Sequence, residues 1–154
     1  MPVAKAPLKR ILLIDDDVVL SRAIERVASG VGFDVIHSST GEDGLRLSVS
    51  MRADLVILHI NVDDLDGIQI LGRLKCGPQT CSIPVIVCSA SPDHEQRLAV
   101  FQLGAEDYFD DPVDVGLLMR RIEHHVFRSS KTTGDDRVSR PLDDTVPYAR
   151  RAVR

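Results

Sequence analysis

Short apolar runs that alternate with segments of helical period constrain the fold of this chain most strongly. The runs occupy residues 11–14, 33–36, 54–60, 83–88 and, more briefly, 108–109. Between and after them, apolar side chains recur at every third or fourth position, which is typical of amphipathic helices. Five strands that alternate with five helices through right-handed crossovers predict an α/β fold, a doubly wound parallel sheet covered on both faces. The compact strand order for five strands is 2-1-3-4-5.

The size and charge of the chain predict one domain with tails. A chain of 154 residues with 44% hydrophobic content is long enough for one globular core. Residues 1–127 carry 12 Lys/Arg against 19 Asp/Glu, whereas residues 128–154 carry 7 against 4. We therefore expect a short N-terminal tail at 1–7, an acidic domain at 8–127 and a flexible, basic tail at 128–154, where the apolar period stops.

No stretch of the sequence indicates a membrane or secretory segment. No apolar run approaches the roughly 20 residues of a membrane span, and the first ten residues lack the apolar segment of a secretory signal. A cytoplasmic location is expected. Cys76, Cys81 and Cys88 fit neither a zinc spacing nor a paired framework, so reduced thiols are expected, with a Cys76–Cys81 disulfide as the alternative.

Polar residues stand where the predicted strands end. In the order 2-1-3-4-5 the topological switch point lies between strands 1 and 3. Asp15 and Asp16 from strand 1 should therefore meet His59 from strand 3. Ser89 and Asp111 should arrive beside them from strands 4 and 5.

Four ordered motifs resemble the receiver domains of two-component response regulators. They are ILLIDDD at 11–17, DLVILHINVDDLDG at 54–67, IPVIVCSA at 83–90 and GAEDYFDDPVD at 104–114. The resemblance covers about residues 8–127 and implies a flavodoxin-like receiver fold and a role in signalling. In such receivers an acidic pair and an aspartate at the end of strand 3 hold magnesium, and that aspartate accepts a phosphoryl group. A hydroxyl residue and a lysine contact the phosphoryl oxygens.

The resemblance assigns roles residue by residue and reveals two replacements. Asp15 and Asp16 match the acidic pair, Ser89 the hydroxyl residue and Tyr108 the aromatic switch. His59, however, stands at the phosphoacceptor position, and Asp111, before Pro112, stands at the lysine position. The usual Met-Pro after strand 3 is Val62-Asp63.

The two replacements predict a degenerate phosphorylation site. An acyl phosphate cannot form on imidazole, and Asp111 places a negative charge where phosphoryl oxygens would lie, so repulsion replaces attraction. We expect a pseudo-receiver that is independent of phosphorylation and is not an enzyme. A further hypothesis is that protonated His59, which neighbouring carboxylates favour, acts as an internal counterion in place of metal and lysine.

An alternative interpretation makes the same residues a metal site. Imidazole together with the carboxylates of Asp15 and Asp16 suits zinc or manganese better than magnesium, and Asp111 could complete four ligands. The chain would then be a metal sensor or a metal-dependent enzyme. If these residues do not form a metal site, no cofactor is expected.

The expected partner is another signalling protein or a second copy of the chain. In the family that this chain resembles, helix 4, strand 5 and helix 5 form the usual partner face, which here includes Phe101, Arg120 and Arg121. The tail provides a possible second protein contact. Arg150, Arg151 and Arg154 could touch phosphates, but the tail is short, mixed in charge and poor in aromatics, so nucleic acid is not an expected partner. No membrane partner is expected either.

Overall fold

The structure is a computed structural model that describes residues 8–61, 64–90 and 93–131. Strands and helices alternate strictly along the chain. The strands are β1 (Arg10–Ile14), β2 (Asp34–Ser38), β3 (Leu55–His59), β4 (Val85–Ser89) and β5 (Asp107–Asp110). The helices are α1 (Val18–Gly30), α2 (Gly41–Ser50), α3 (Gly67–Cys76), α4 (His94–Gln102) and α5 (Val115–Lys131).

The five strands form one parallel sheet in the order β2-β1-β3-β4-β5, which confirms the predicted topology. The central strand β3 pairs with β1 on one side and with β4 on the other, and His59 lies opposite Cys88 in the β3–β4 register. Because all strands run the same way, their carboxyl ends share one edge of the sheet. That edge carries the candidate site.

Successive residues of each inner strand enter two separate cores, one on each face of the sheet. Leu12, Val56 and Val87 contact one core, which the helices α2, α3 and α4 cover. Leu13, Ile57 and Ile86 contact the other, beneath α1 and α5. Every residue of β3 is buried, as expected for a strand covered on both faces.

Most element ends fall close to their predicted positions, and local capping explains them. The Thr40 side chain accepts a hydrogen bond from the Asp43 amide and caps the start of α2. Gly32 follows α1 with φ +98°, a conformation that glycine adopts without strain. The last helix is longer than the sequence pattern indicated, because it continues past Phe127 to Lys131.

Three other sequence predictions concern the cysteines, membrane-spanning segments and the two tails. Cys76 and Cys81 are exposed free thiols and Cys88 is a buried one. None of the helices in the described ranges is long and apolar enough to cross a membrane. The predicted N-terminal tail and residues 132–154 lie outside the described residues, as do Val62 and Asp63.

Candidate functional site

The turn after β1 presents the acidic pair. Asp15 is 1% exposed, and its Oδ1 accepts a hydrogen bond from the Asp17 amide at 2.8 Å. Burial raises the pKa of the Asp15 carboxyl above its ordinary value, although that hydrogen bond and the nearby His59 oppose the shift. Asp16 is partly exposed, and Asp17 caps α1. The turn therefore holds one buried carboxylate, whose ionisation is disfavoured by burial, beside one solvated carboxylate.

His59 and Asp111 form a hydrogen-bonded pair across the crevice. The His59 Nε2 atom lies 2.7 Å from Asp111 Oδ2, and both side chains are largely buried, at 11% and 22% exposure. The Asp111 amide in turn donates to the Ser89 carbonyl at 2.9 Å, which fixes the loop after β5 to the end of β4. The two residues that the sequence resemblance aligns with the acceptor and lysine positions are therefore bonded to each other.

A second contact involves the other nitrogen of the His59 ring, Nδ1. The backbone amide of Asn61 points at His59 Nδ1 from 3.4 Å, which is a long hydrogen bond that needs a lone pair on that nitrogen. In the tautomer that accepts this contact at Nδ1, the ring proton is on Nε2 and is donated to Asp111. An imidazolium would keep the Asp111 contact and lose the Asn61 contact.

The second oxygen of Asp111 is an exception to ordinary hydrogen-bond satisfaction. Asp111 Oδ1 is buried and makes no hydrogen bond to the described residues. A buried carboxylate oxygen without a donor destabilises the folded state. This orphaned oxygen adds a hydrogen-bond acceptor without a donor to the crevice.

The structure brings three of the four proposed metal ligands together. Donor atoms of Asp15, Asp16 and His59 all lie within 4.8 Å of one another. Asp111 is not part of this set, and its Oδ2 binds the imidazole instead. In the alternative interpretation Asp111 could complete four ligands, but the clustered donors in the described residues come from three residues, and Asp111 is bonded to the histidine.

Ser89 arrives at the end of β4, as the topology requires, but its hydroxyl is engaged with α4. Ser89 is fully buried, and its Oγ donates to the Gln96 side-chain oxygen at 2.9 Å. The hydroxyl that the sequence resemblance matched to phosphoryl contact is therefore bonded to a helix in this structure.

Tyr108 on β5 packs against the same helix. The Arg97 guanidinium lies 4.7 Å from the centre of the Tyr108 ring, and the Phe101 ring lies 6.4 Å from it. Arg97 also donates to Asp110 at 2.9 Å. Helix α4 thus contacts the carboxyl ends of both β4 and β5 through polar and aromatic groups.

The two arginines predicted for the partner face differ in their surroundings. Arg120 is exposed, whereas Arg121 donates to Asp107 and is only partly exposed. The buried His125 contacts the same Asp107 oxygen at 3.1 Å. Burial opposes ionisation of Asp107, but these two contacts outweigh it and hold the pKa of the carboxyl below its ordinary value.

Two acids in the loop after β3 cap helices. The Asp64 carboxylate accepts from the amides of Gly41 and Glu42, which lowers its pKa. Asp66 caps α3 through the Ile68 amide. Both carboxylates are therefore committed to helix N-termini.

The response regulator receiver domain family matches residues 11–123, so this chain belongs to that family. Its domains are signalling modules. Among related proteins, the KDP operon transcriptional regulatory protein KdpE of Escherichia coli K12 is 30% identical over 95% of this chain. The cell cycle transcriptional regulator CtrA of Caulobacter vibrioides is 33% identical over 79%. The chain covers 64% of the length of KdpE and 52% of CtrA.

Solved structures support the fold. A CheY-like receiver domain protein from Methanospirillum hungatei superposes with a TM-score of 0.77 at 22% identity, over 82% of this chain and 99% of that one. A response regulator from Chloroflexus aurantiacus gives a TM-score of 0.73 at 26% identity, over 78% and 98%.

Sequence reasoning missed the residues that surround the site. Gln96, Arg97 and Asp110 resemble ordinary surface residues in the sequence, and Asn61 acts through its backbone. Only the contact between α4 and the ends of β4 and β5 gives these residues a role. The adjacent pair His124–His125 carried a signal, since only one of two neighbours on a helix can face the sheet.

Proposed function

We propose that this chain is a receiver-type signalling module that acts without phosphorylation, by binding a protein partner or a second copy of itself. The observation that carries the proposal is the 2.7 Å contact between His59 and Asp111. The family places an acceptor and a cation at these positions, and here the two side chains bind each other.

The charges around the crevice oppose phosphoryl chemistry. Transfer of a phosphoryl group depends on positioning and on cations that neutralise its oxygens. Here Asp15, Asp16 and the orphaned oxygen of Asp111 surround the imidazole. Each like-charge contact with a phosphoryl oxygen at about 4 Å would cost on the order of a few kcal/mol near a protein surface.

The loop after β3 offers no described carboxylate that could replace the lost acceptor. Asp64 and Asp66 are bonded to the first amides of α2 and α3. Transfer to either carboxylate would remove a cap, at a cost of about 1 kcal/mol of helix stability. Capping supports the assignment of these acids to structure.

The His59–Asp111 pair supports the crevice in either protonation state. Both the neutral ring and the imidazolium donate from Nε2 to Asp111, so the bond across the crevice persists. The Asn61 amide contact supports the neutral ring, whereas the counterion hypothesis requires a proton on Nδ1 as well. Nitrogen-15 chemical shifts of the ring distinguish the two, because the imidazolium lacks the unprotonated nitrogen signal.

The partner face is proposed on α4, β5 and α5. Arg120 and His124 are exposed and lie one turn apart on α5, while Arg121 is tied to Asp107. We therefore expect Arg120→Ala to weaken partner capture without loss of fold. Arg121→Ala would affect both binding and folding.

The decisive experiment is treatment with acetyl phosphate, followed by intact mass measurement, on four proteins: the wild type, His59→Asp, Asp111→Lys and the double variant. We expect no phosphoryl adduct on the wild type or on His59→Asp, because Asp111 remains in both. The double variant, which restores both family residues, is the matched positive control. An adduct on the wild type, or beryllofluoride bound beside the imidazole in a crystal, would contradict the proposal.

Metal sensing is a second candidate function, favoured by the clustered donors of Asp15, Asp16 and His59. Magnesium prefers an all-oxygen, octahedral site, so this donor set does not fit the ion of the family. The set fits zinc or manganese, which would take the His59 Nδ1 lone pair in place of the Asn61 amide, and the Asp111 carboxylate on Nε2 is the kind of partner that orients metal-binding histidines.

Calorimetry with zinc, manganese and magnesium separates the two candidates. Metal sensing predicts saturable binding of zinc or manganese that His59→Ala abolishes. The counterion hypothesis predicts little binding near pH 6, where the ring would be protonated. Absence of binding at every pH would exclude the metal candidate.

A further inference from the structure

The apolar stripe of helix α1 begins in the core and ends in solvent. Leu20 packs against the core beneath α1 and α5, and Ile24 is fully buried. Val27 and Val31 continue the same stripe at helical spacing and are 40% and 58% exposed. The stripe is therefore covered near the crevice and uncovered at the far end of the helix.

Helix α5 shows the same change in its last turns and ends beside α1. Val126 is buried, whereas the next residue, Phe127, is 54% exposed. His125 contacts Asp107, the first residue of β5, so this end of α5 lies at the edge of the sheet opposite the crevice. Helix α1 runs to the same edge, and the two helices contact each other.

The uncovered side chains at these two helix ends form one surface. Ala28 and Val126, which directly follow Val27 and precede Phe127, belong to a single core cluster. We call the exposed neighbours Val27, Val31 and Phe127 the end patch. Single exposed apolar residues are ordinary on protein surfaces, whereas adjoining ones mark a place of contact.

The chain itself carries a suitable occupant to the end patch. Helix α5 ends at Lys131, one turn after Phe127, and residues 132–154 follow it. Among them, the segment 145–154 (TVPYARRAVR) combines apolar side chains with three arginines and contains no acid. An extended chain spans up to about 3.3–3.6 Å per residue, so the segment reaches the end patch with length to spare. Its large apolar members are Val146, Tyr148 and Val153.

Charge favours this segment over the part of the tail that precedes it. Residues 1–127 carry 12 Lys/Arg against 19 Asp/Glu, and the exposed Glu123 lies one turn before Phe127 on the same side of α5. The stretch 135–144 (DDRVSRPLDD) contains four acids, which this surface repels. Exposed charge pairs are weak, so the apolar contact supplies most of the binding and charge selects the basic segment.

We propose that the end patch binds the chain's own segment 145–154, with Tyr148 packed against Val27 and Phe127. Because both parts belong to one chain, their effective concentration is about millimolar, and a contact too weak to join separate proteins is still populated. The docking site lies at the edge opposite the crevice, so it does not depend on whether the crevice takes a phosphoryl group. Docking covers an apolar surface that a second copy or another protein would otherwise meet.

NMR of the methyl groups and aromatic rings of the full chain tests the docking. In the wild type, nuclear Overhauser contacts should join the Tyr148 ring to the methyl groups of Val27 and Val31. Tyr148→Ser should shift these methyl resonances and lower the docked population by about tenfold or more, because the buried ring is lost. Phe127→Ala, at a half-exposed position, should remove the Tyr148 contacts as well.

Two controls separate docking from general effects. Val49 is 43% exposed on α2, on the other face of the sheet, and its methyl resonances should not respond to Tyr148→Ser. Leu142→Ser is the matched variant, since it removes an apolar side chain from the acidic stretch of the tail. It should leave the methyl resonances of Val27 and Val31 unchanged.

Identical Val27 and Val31 methyl resonances in the wild type and in Tyr148→Ser would overturn the proposal and leave the end patch to a different protein. Contacts that disappear on dilution of the wild type would also overturn it, because they would identify a second copy as the occupant. An equal response to Leu142→Ser would overturn the choice of segment 145–154.

Discussion

Replacing His59 by aspartate perturbs the one contact on which the proposed function depends. His59→Asp removes the hydrogen bond to Asp111 and places a second carboxylate against it, beside Asp15 and Asp16. In a receiver with a lysine at the later position, the same residue would be the native one. In this chain we expect it to destabilise the fold.

Two terms set the size of the effect. Loss of a hydrogen bond to a charged group costs about 1.5–3 kcal/mol. Two carboxylates about 4 Å apart repel by about 4 kcal/mol at an intermediate dielectric constant. Protonation of one carboxyl limits this repulsion. Holding that carboxyl neutral costs about 1.4 kcal/mol for each pH unit by which the pH exceeds its pKa, so the repulsion cannot destabilise the fold by more than this cost.

The expected loss in the free energy of unfolding is therefore roughly 2–5 kcal/mol at pH 7. Urea unfolding at pH 7 measures it directly, and the slope against urea should not change. The loss should shrink as the pH falls toward 4, since the added carboxyl then takes up a proton. Asp111→Lys added to His59→Asp should recover most of the loss, because the pair then carries opposite charges again.

A double-mutant cycle over the wild type, both single variants and the double variant gives the coupling energy. We expect favourable coupling of at least about 2 kcal/mol, since each single variant brings together like or unpaired groups. His59→Asp with wild-type stability, or coupling near zero, would refute the charge-exchange argument. Ser89→Ala is a useful comparison, because it removes a buried polar group at the same edge without changing the charge.

Three other substitutions test separate parts of the structure. Gly67→Ala should destabilise by about 2 kcal/mol or more in urea unfolding, because the new Cβ would lie 2.5 Å from the Ile60 Cα and carbonyl oxygen. Asp15→Asn should raise the melting temperature at pH 7 and have little effect at pH 3. Burial raises the pKa of the Asp15 carboxyl, so its contribution to stability is present below the pKa of the unfolded state. That contribution is lost as the pH rises through the pKa of the folded state. Asp107→Asn should lower the free energy of unfolding by about 1–2 kcal/mol at pH 7 and by progressively less in acid. Because the pKa of the Asp107 carboxyl is lowered, the carboxylate stabilises the fold above the pKa of the unfolded state. This stabilisation is lost as the pH falls through the pKa of the folded state.

The sequence predicts the fold well because every level of its pattern agrees. The inner strands are short and apolar, the helices begin at capping residues, and the strands take the compact order 2-1-3-4-5. The strand ends had to meet at one edge, so the proximity of Asp15, Asp16 and His59 followed from topology. The extra turn of α5 after Phe127 was not predicted, because polar residues there continue the helix without an apolar period.

The contacts that give the site its character could not be predicted in this way. Topology places Ser89 at the edge, but only the packed structure shows its hydroxyl bonded to Gln96. The hypothesis that Asp111 completes a four-ligand metal site assumed that every carboxylate near the crevice is free to bind a metal. In the structure, the bond to His59 removes Asp111 from the donor set.

The orphaned oxygen of Asp111 indicates why the histidine and the aspartate belong together. A buried carboxylate with one unbonded oxygen destabilises the folded state, and Asp111 carries that cost in this structure. The imidazole offsets part of this cost by binding the other oxygen, Oδ2, and the Asp111 amide joins the loop after β5 to the end of β4. If Asp111 served stability alone, an apolar residue of similar size paired with an apolar partner at position 59 would serve better. The pair therefore fits a role in which the carboxyl ends of β3 and β5 must stay joined.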